Sequence, residues 1–168
     1  ISADAGSGVT TPEDSHGLAA ADFDNDGSVE LLINNTGTIA SLLKNEIPEG
    51  NWIEIRLIGT RANRDGIGAR VTLSAGGHEQ LQDVRSGGSF LSQSSLRLHF
   101  GLGESKKIDW LRVRWPIQPP DAQTFKNLPV NRILTIREGT GIVATRPQPS
   151  RAHSGSPAHK TKQKDEVR

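Results

Sequence analysis

The chain predicts an all-β protein, and three observations carry that expectation. Its 168 residues include 18 Gly and nine Pro, the residues that punctuate turns. Its Val, Ile and Leu fall in short clusters between those turn residues rather than in long helical runs. From Asn51 onward apolar and polar residues alternate, the period of a strand with one buried face. A hydrophobic fraction of 33% suffices for one modest core. No apolar run approaches the roughly 20 residues of a membrane helix, so no transmembrane segment is expected.

Zero Cys excludes disulfides, thiolate metal sites and a cysteine nucleophile. The chain opens on Ile1 with neither a basic nor an apolar leader, so it reads as a fragment whose export signal, if any, lies outside it. The net charge of +1 hides an uneven distribution: from Arg146 onward six basic residues meet two acidic ones, a balance of +4 that leaves −3 for everything before. That places the basicity in the tail.

In order along the chain, residues 1–14 form an irregular, small and polar lead-in. Residues 15–48 read as one unit of strand, loop and strands. It has an apolar strand over Gly17 to Phe23, an acidic loop, a second strand over Val29 to Asn34 and a third over Ile39 to Lys44, with Pro48-Glu49-Gly50 breaking the pattern. Residues 49–139 carry strands at Asn51 to Leu57, Ala69 to Ser74, Gln80 to Arg85, Leu96 to Phe100, Ile108 to Trp115 and Ile133 to Arg137. In the first of these Ile53, Ile55 and Leu57 fall on one face, with Glu54 and Arg56 on the solvated one. In the fifth, Leu111, Val113 and Trp115 alternate with Trp110, Arg112 and Arg114. The expectation is a β-sandwich or partly open barrel. Residues 140–168, rich in Pro, Ser, Gly, Lys and His, are expected to be a disordered basic tail.

The acidic loop is the strongest chemical signal. Asp22, Asp24, Asp26 and Glu30 occupy positions 1, 3, 5 and 9 of a nine-residue window, with Gly27 free to turn the backbone sharply inward. Calcium takes six to eight oxygen ligands, and such a loop supplies alternate carboxylates plus the Ser28 carbonyl. An EF-hand begins the same way but needs a Glu at position 12, where this chain has Ile33, and helices on both flanks. The bland alternative is a solvated acidic turn.

With those residues in view, Gly17 to Gly27 (GLAAADFDNDG) resembles the FG-GAP or VCBS type of β-propeller repeat. The resemblance implies calcium at Asp22, Asp24, Asp26, the Ser28 carbonyl and Glu30; the family often has Asp where Glu30 stands. Three later segments, Asn63 to Val71 (NRDGIGARV), Gly87 to Gln93 (GGSFLSQ) and Leu98 to Gly103 (LHFGLG), resemble the ASPIC and UnbV domain that commonly follows such repeats in secreted proteins similar to cartilage acidic protein. That implies an extracellular or cell-surface setting and no defined chemistry. A single propeller-type repeat cannot cover its own apolar face, so further repeats are expected on the N-terminal side. If the unit instead folds alone against the sandwich, Leu31, Ile33 and Leu42 must pack there.

Arg64, Asp65, Ser92 and Gln93, polar residues beside the glycine turns, form a candidate recognition patch for a glycan or protein partner; the plainer reading has them capping loops. No catalytic residues emerge. Ser89 lacks the context of a nucleophile elbow, Gly66-Ile67-Gly68 lacks a third glycine and a helix, and the five His show no zinc-hydrolase spacing. The tail carries no aromatics among its charges, so no specific nucleic-acid partner is expected. The sequence therefore points to a calcium-binding extracellular interaction module without enzymatic activity. The alternatives are a glycan-acting hydrolase on the sandwich, which would join Asp65 to a second carboxylate, and a structural spacer.

Overall fold

The computed structural model describes residues 13–45, 50–119 and 121–147. They contain eleven strands and, among the described residues, no helix. The first three, β1 (Ser15–Ala21), β2 (Glu30–Asn35) and β3 (Ser41–Leu43), form an antiparallel sheet in sequence order. One four-stranded sheet runs β11 (Gly141–Pro147), β10 (Arg132–Arg137), β4 (Asn51–Ile58), β7 (Leu98–Gly103). The other runs β6 (His78–Asp83), β5 (Arg70–Ala75), β8 (Lys107–Trp115), β9 (Asp121–Pro129). Every pairing is antiparallel except β4 with β10, which the chain joins only after crossing through the other sheet twice.

The alternation in the sequence explains why these two sheets face each other. Ile53, Ile55, Phe100, Leu134 and Ile136 of one sheet meet Val71, Leu73, Leu111, Val113 and Trp115 of the other in one buried cluster. Each fully buried side chain of this size stabilises the fold by about 1.5–3 kcal/mol. Arg112 and Arg114 of β8 stay exposed, as the pattern requires. The architecture is a β-sandwich of two open sheets with the three-stranded sheet attached.

Three expectations need correction. The tail does not begin at 140, because Gly141–Pro147 pairs with β10 as β11 and Ile142 packs against the core. Nor was β9 expected, since it offers the core only Phe125 and Leu128. Both lie at sheet edges, where one backbone side has no strand partner and apolar patterning is not required. Second, Glu54 is not on a solvated face: it is 1% exposed. Third, the alternative in which the first unit packs on the sandwich through Leu31, Ile33 and Leu42 is not met at Leu42, which remains 61% exposed, and register places it with Leu32 on the face opposite half-buried Leu31 and Ile33. The remainder of the expected tail, residues 148–168, lies outside the described residues, as do residues 1–12 of the lead-in and 46–49 of the break.

The small sheet attaches through β1. Leu18 N–H donates to Ser92 Oγ at 3.2 Å, Ser92 Oγ lies 2.9 Å from Leu18 O, and Ala20 N–H donates to Ser94 Oγ at 3.2 Å. A backbone bond from Ser95 N to Ala20 O at 2.9 Å completes the contact. This positions the β1–β2 loop over the outer face of β4 and β7.

Candidate metal centre

The loop between β1 and β2 is shaped by its own carboxylates. Asp22 Oδ1 accepts the Asp26 N–H at 3.1 Å and Oδ2 accepts the Gly27 N–H at 3.0 Å, the local bonding that makes Asp a turn residue. Asp26 Oδ1 accepts the Ser28 N–H at 2.8 Å. Glu30, at the start of β2, reaches back so that Oε2 accepts the Phe23 N–H at 3.0 Å. Asn25 and Gly27 take the left-handed region, with φ of 61° and 94°. Only Gly fits the second position: a Cβ there would collide with the Trp52 indole.

This curl brings one carboxylate oxygen from each of Asp22, Asp24 and Glu30 within 4.8 Å of one another, an arrangement able to hold a metal ion. Asp26 lies outside that group, with its carboxylate on the Ser28 N–H. Asp22 and Ser28 are each 1% exposed and Glu30 is 4% exposed, whereas Asp24 is open to solvent. At an effective dielectric near 20, two unit charges at that separation repel by about 3 kcal/mol. Burial pushes the Glu30 carboxyl above the usual carboxylate range. Asp24, Asp22 and Asp26 push it further, while the Phe23 N–H pulls it back in part. Glu30 Oε1 is buried with no hydrogen-bond partner, a costly state for a carboxylate oxygen unless a cation faces it. The exposed Lys44 Nζ sits 2.9 Å from Asp24 Oδ2, drawn by the same negative potential.

The sandwich grips the loop from below. Arg97 Nη2 donates to the Asp22 carbonyl at 2.6 Å and Nη1 to Asn25 Oδ1 at 2.7 Å. Arg97 Nη1 also lies 2.7 Å from Glu54 Oε2, but as an ion pair without hydrogen-bond alignment, since Oε2 has no aligned donor. Burial pushes the Glu54 carboxyl up to about 7, against the pull of Arg97. His99 Nε2 lies 2.7 Å from the Gly27 carbonyl, and because a carbonyl only accepts, the proton is on Nε2. The His99 ring stacks on Trp52 with centroids 6.1 Å apart and planes 13° apart. Trp52, Glu54, Arg97 and His99 thus form a receptor for the loop.

The expected recognition patch is divided. Arg64 and Asp65 line a cleft after β4. Ser92 is spent on β1, and Gln93 bonds within its own loop, accepting the Gly87 N–H at 2.6 Å and donating to the Ser94 carbonyl at 2.7 Å. Sequence reading missed the loop receptor altogether, because its partners lie more than 70 residues apart in the chain. It also missed Glu138, 2% exposed, whose Oε2 accepts the backbone N–H groups of Thr60, Arg61 and Ala62 at 2.8 Å each. The only local signal was a carboxylate one residue beyond a strand end.

The family model for ASPIC and UnbV matches residues 59–143. The match begins just after β4, so this central strand lies outside it although its side chains complete the core. No curated protein matches the chain. Covering half of the sequence, the match shows that the chain belongs to the ASPIC and UnbV family.

Proposed function

We propose that the chain is a calcium-binding extracellular interaction module, in which a cation in the β1–β2 loop rigidifies an FG-GAP or VCBS-like unit and the sandwich presents the recognition surface. The observation that carries this reading is Glu30 Oε1, buried and without a partner beside two further carboxylates. Asp22, Asp24 and Glu30 fit the ion as they stand, and the Ser28 carbonyl and Asp26 would complete its shell. An all-oxygen set of several carboxylates joined by a backbone carbonyl suits calcium, which accepts six to eight oxygens in flexible geometry, better than magnesium, which demands a near-ideal octahedron. The ion would neutralise the cluster and order the loop against Arg97 and His99.

A binding role is preferred to hydrolysis. The two clefts that contain Asp65 are lined by arginines and hold no second carboxylate. Calorimetric titration of calcium into chelator-treated protein tests the reading. One site per chain is expected, weakened at least tenfold in Asp24→Ala. At a calcium concentration 100 times the Kd the folded state gains about 2.7 kcal/mol, visible as a higher Tm. Absence of heat, with the same melting temperature in calcium and chelator, would overturn it.

A further inference from the structure

Charge is segregated more sharply than the tail alone suggests. Between residues 50 and 147 there are 14 Arg and Lys against eight Asp and Glu, whereas residues 13–45 carry one Lys against six acidic residues. Part of this excess converges on the outer face of the sandwich. Arg56 of β4 and Arg137 of β10 share that face, because β4 and β10 pair in parallel with Arg56 opposite Thr135 and Ile58 opposite Arg137. Arg64 approaches from the loop after β4, and the three arginines line one cleft of about 470 Å³. All three are exposed and, among the described residues, none pairs with a carboxylate. The wall is fixed: Glu138 clamps the N–H groups of residues 60–62, and Gly59 N–H donates to Arg64 O at 3.0 Å. A second cleft of about 310 Å³ shares Arg56, Leu57 and Asp65 with the first and extends to Arg97, beside the docked loop.

We propose that these two clefts form one binding groove for a polyanionic glycan, whose sulfate or carboxylate groups are taken by Arg56, Arg64 and Arg137. Guanidinium forks match such planar or tetrahedral oxyanions with paired N–H bonds, and fixed walls reduce the entropy lost on binding. An acidic peptide fits less well. β4 is an interior strand with partners on both sides, so no chain can add to it through main-chain bonds, and the cleft offers few apolar contacts for peptide side chains. With no aromatic side chain lining either cleft, a neutral sugar has nothing to stack on. The inference rests on the interaction-module half of the proposed function and not on the calcium half.

The test is fluorescence-polarisation binding of a labelled, highly sulfated heparin octasaccharide to the full chain, in calcium and in chelator. Neutral dextran oligosaccharide and poly-glutamate of equal length serve as comparisons. Arg56→Ala/Arg137→Ala is expected to weaken sulfated-glycan binding at least tenfold. Arg64→Ala, a loop change that spares both strands, should weaken it at least threefold, and Arg112→Ala on the opposite sheet less than twofold. Neutral dextran should not bind, and poly-glutamate should bind at least tenfold more weakly. Equal losses in Arg112→Ala and the cleft variants would overturn the groove in favour of diffuse attraction by net charge. Poly-glutamate binding as tightly as the octasaccharide would overturn the ligand class. A silent calcium titration with the arginine dependence intact would refute the metal reading alone.

Discussion

Replacing Gly27 by Ala probes the contact that joins the acidic loop to the sandwich. Gly27 has φ of 94°, and a Cβ there would run into the Trp52 indole. An L-residue held in left-handed backbone costs about 1–2 kcal/mol. Overpacking against a buried side chain adds about 1–3 kcal/mol, and Trp52 is only 3% exposed. The Ala variant should therefore lose about 2–5 kcal/mol. Gly37 supplies the control: its φ is 76° and nothing lies within 4 Å of its virtual Cβ, so Gly37→Ala should show the backbone cost alone. Urea unfolding followed by tryptophan fluorescence and circular dichroism measures both. The difference between the variants, about 1–3 kcal/mol, is the share due to Trp52. Equal destabilisation would mean that the loop does not rest on the indole, and the docking argument would fail.

Two further perturbations separate the buried carboxylates. Glu54 has a folded-state value of about 7 against an ordinary 4.5, so the folded protein holds this proton more tightly than the unfolded chain. Stability from this group is then full below pH 4.5 and lost as pH rises through about 7, on the order of 3 kcal/mol, and Glu54→Gln should lack that component in chelator-treated protein unfolded across the same range. A wild-type and variant profile that run parallel would contradict this. Glu138 behaves in the opposite sense. Burial disfavours its charge, but the N–H groups of Ala62, Thr60 and Arg61, helped by the Arg61 charge, hold the carboxyl below the usual range. Its contribution should be present above the ordinary carboxylate range and fade as pH falls through its folded value. Glu138→Ala strands three backbone donors and should cost about 3 kcal/mol, with faster amide exchange at residues 60–62. Unchanged exchange there would show that the clamp is not what holds the loop.

What could be read from the sequence was local. The carboxylates of Asp22, Asp24 and Glu30 meet because their spacing and Gly27 act within one loop, and the core strands announce themselves by alternation in β4 and β8. What could not be read was set by distance and by covering. Glu54 lies on the polar side of its strand's pattern, yet the docked loop buries it, and nothing near it in sequence signals Arg97 or Asp22. Arg64 and Asp65 could be singled out, whereas their cleft depends on Arg137 from β10, which pairs with β4 although five strands separate the two in sequence. β9 and β11 are edge strands, so their residues answer to one neighbour and to water, and the apolar pattern that marks an interior strand is absent. Ser92 looked available for a ligand because its bond to Leu18 spans 74 positions in the chain.

The most direct test of the central claim, a hard cation held in the acidic loop against Trp52, is terbium luminescence excited through tryptophan. Terbium, an oxygen-seeking ion of calcium-like size, should give sensitised emission that calcium displaces, that Asp22→Asn abolishes and that Trp52→Phe reduces strongly while Trp110 and Trp115 remain. Emission that is absent in the wild type, or that survives both substitutions unchanged, would contradict the account.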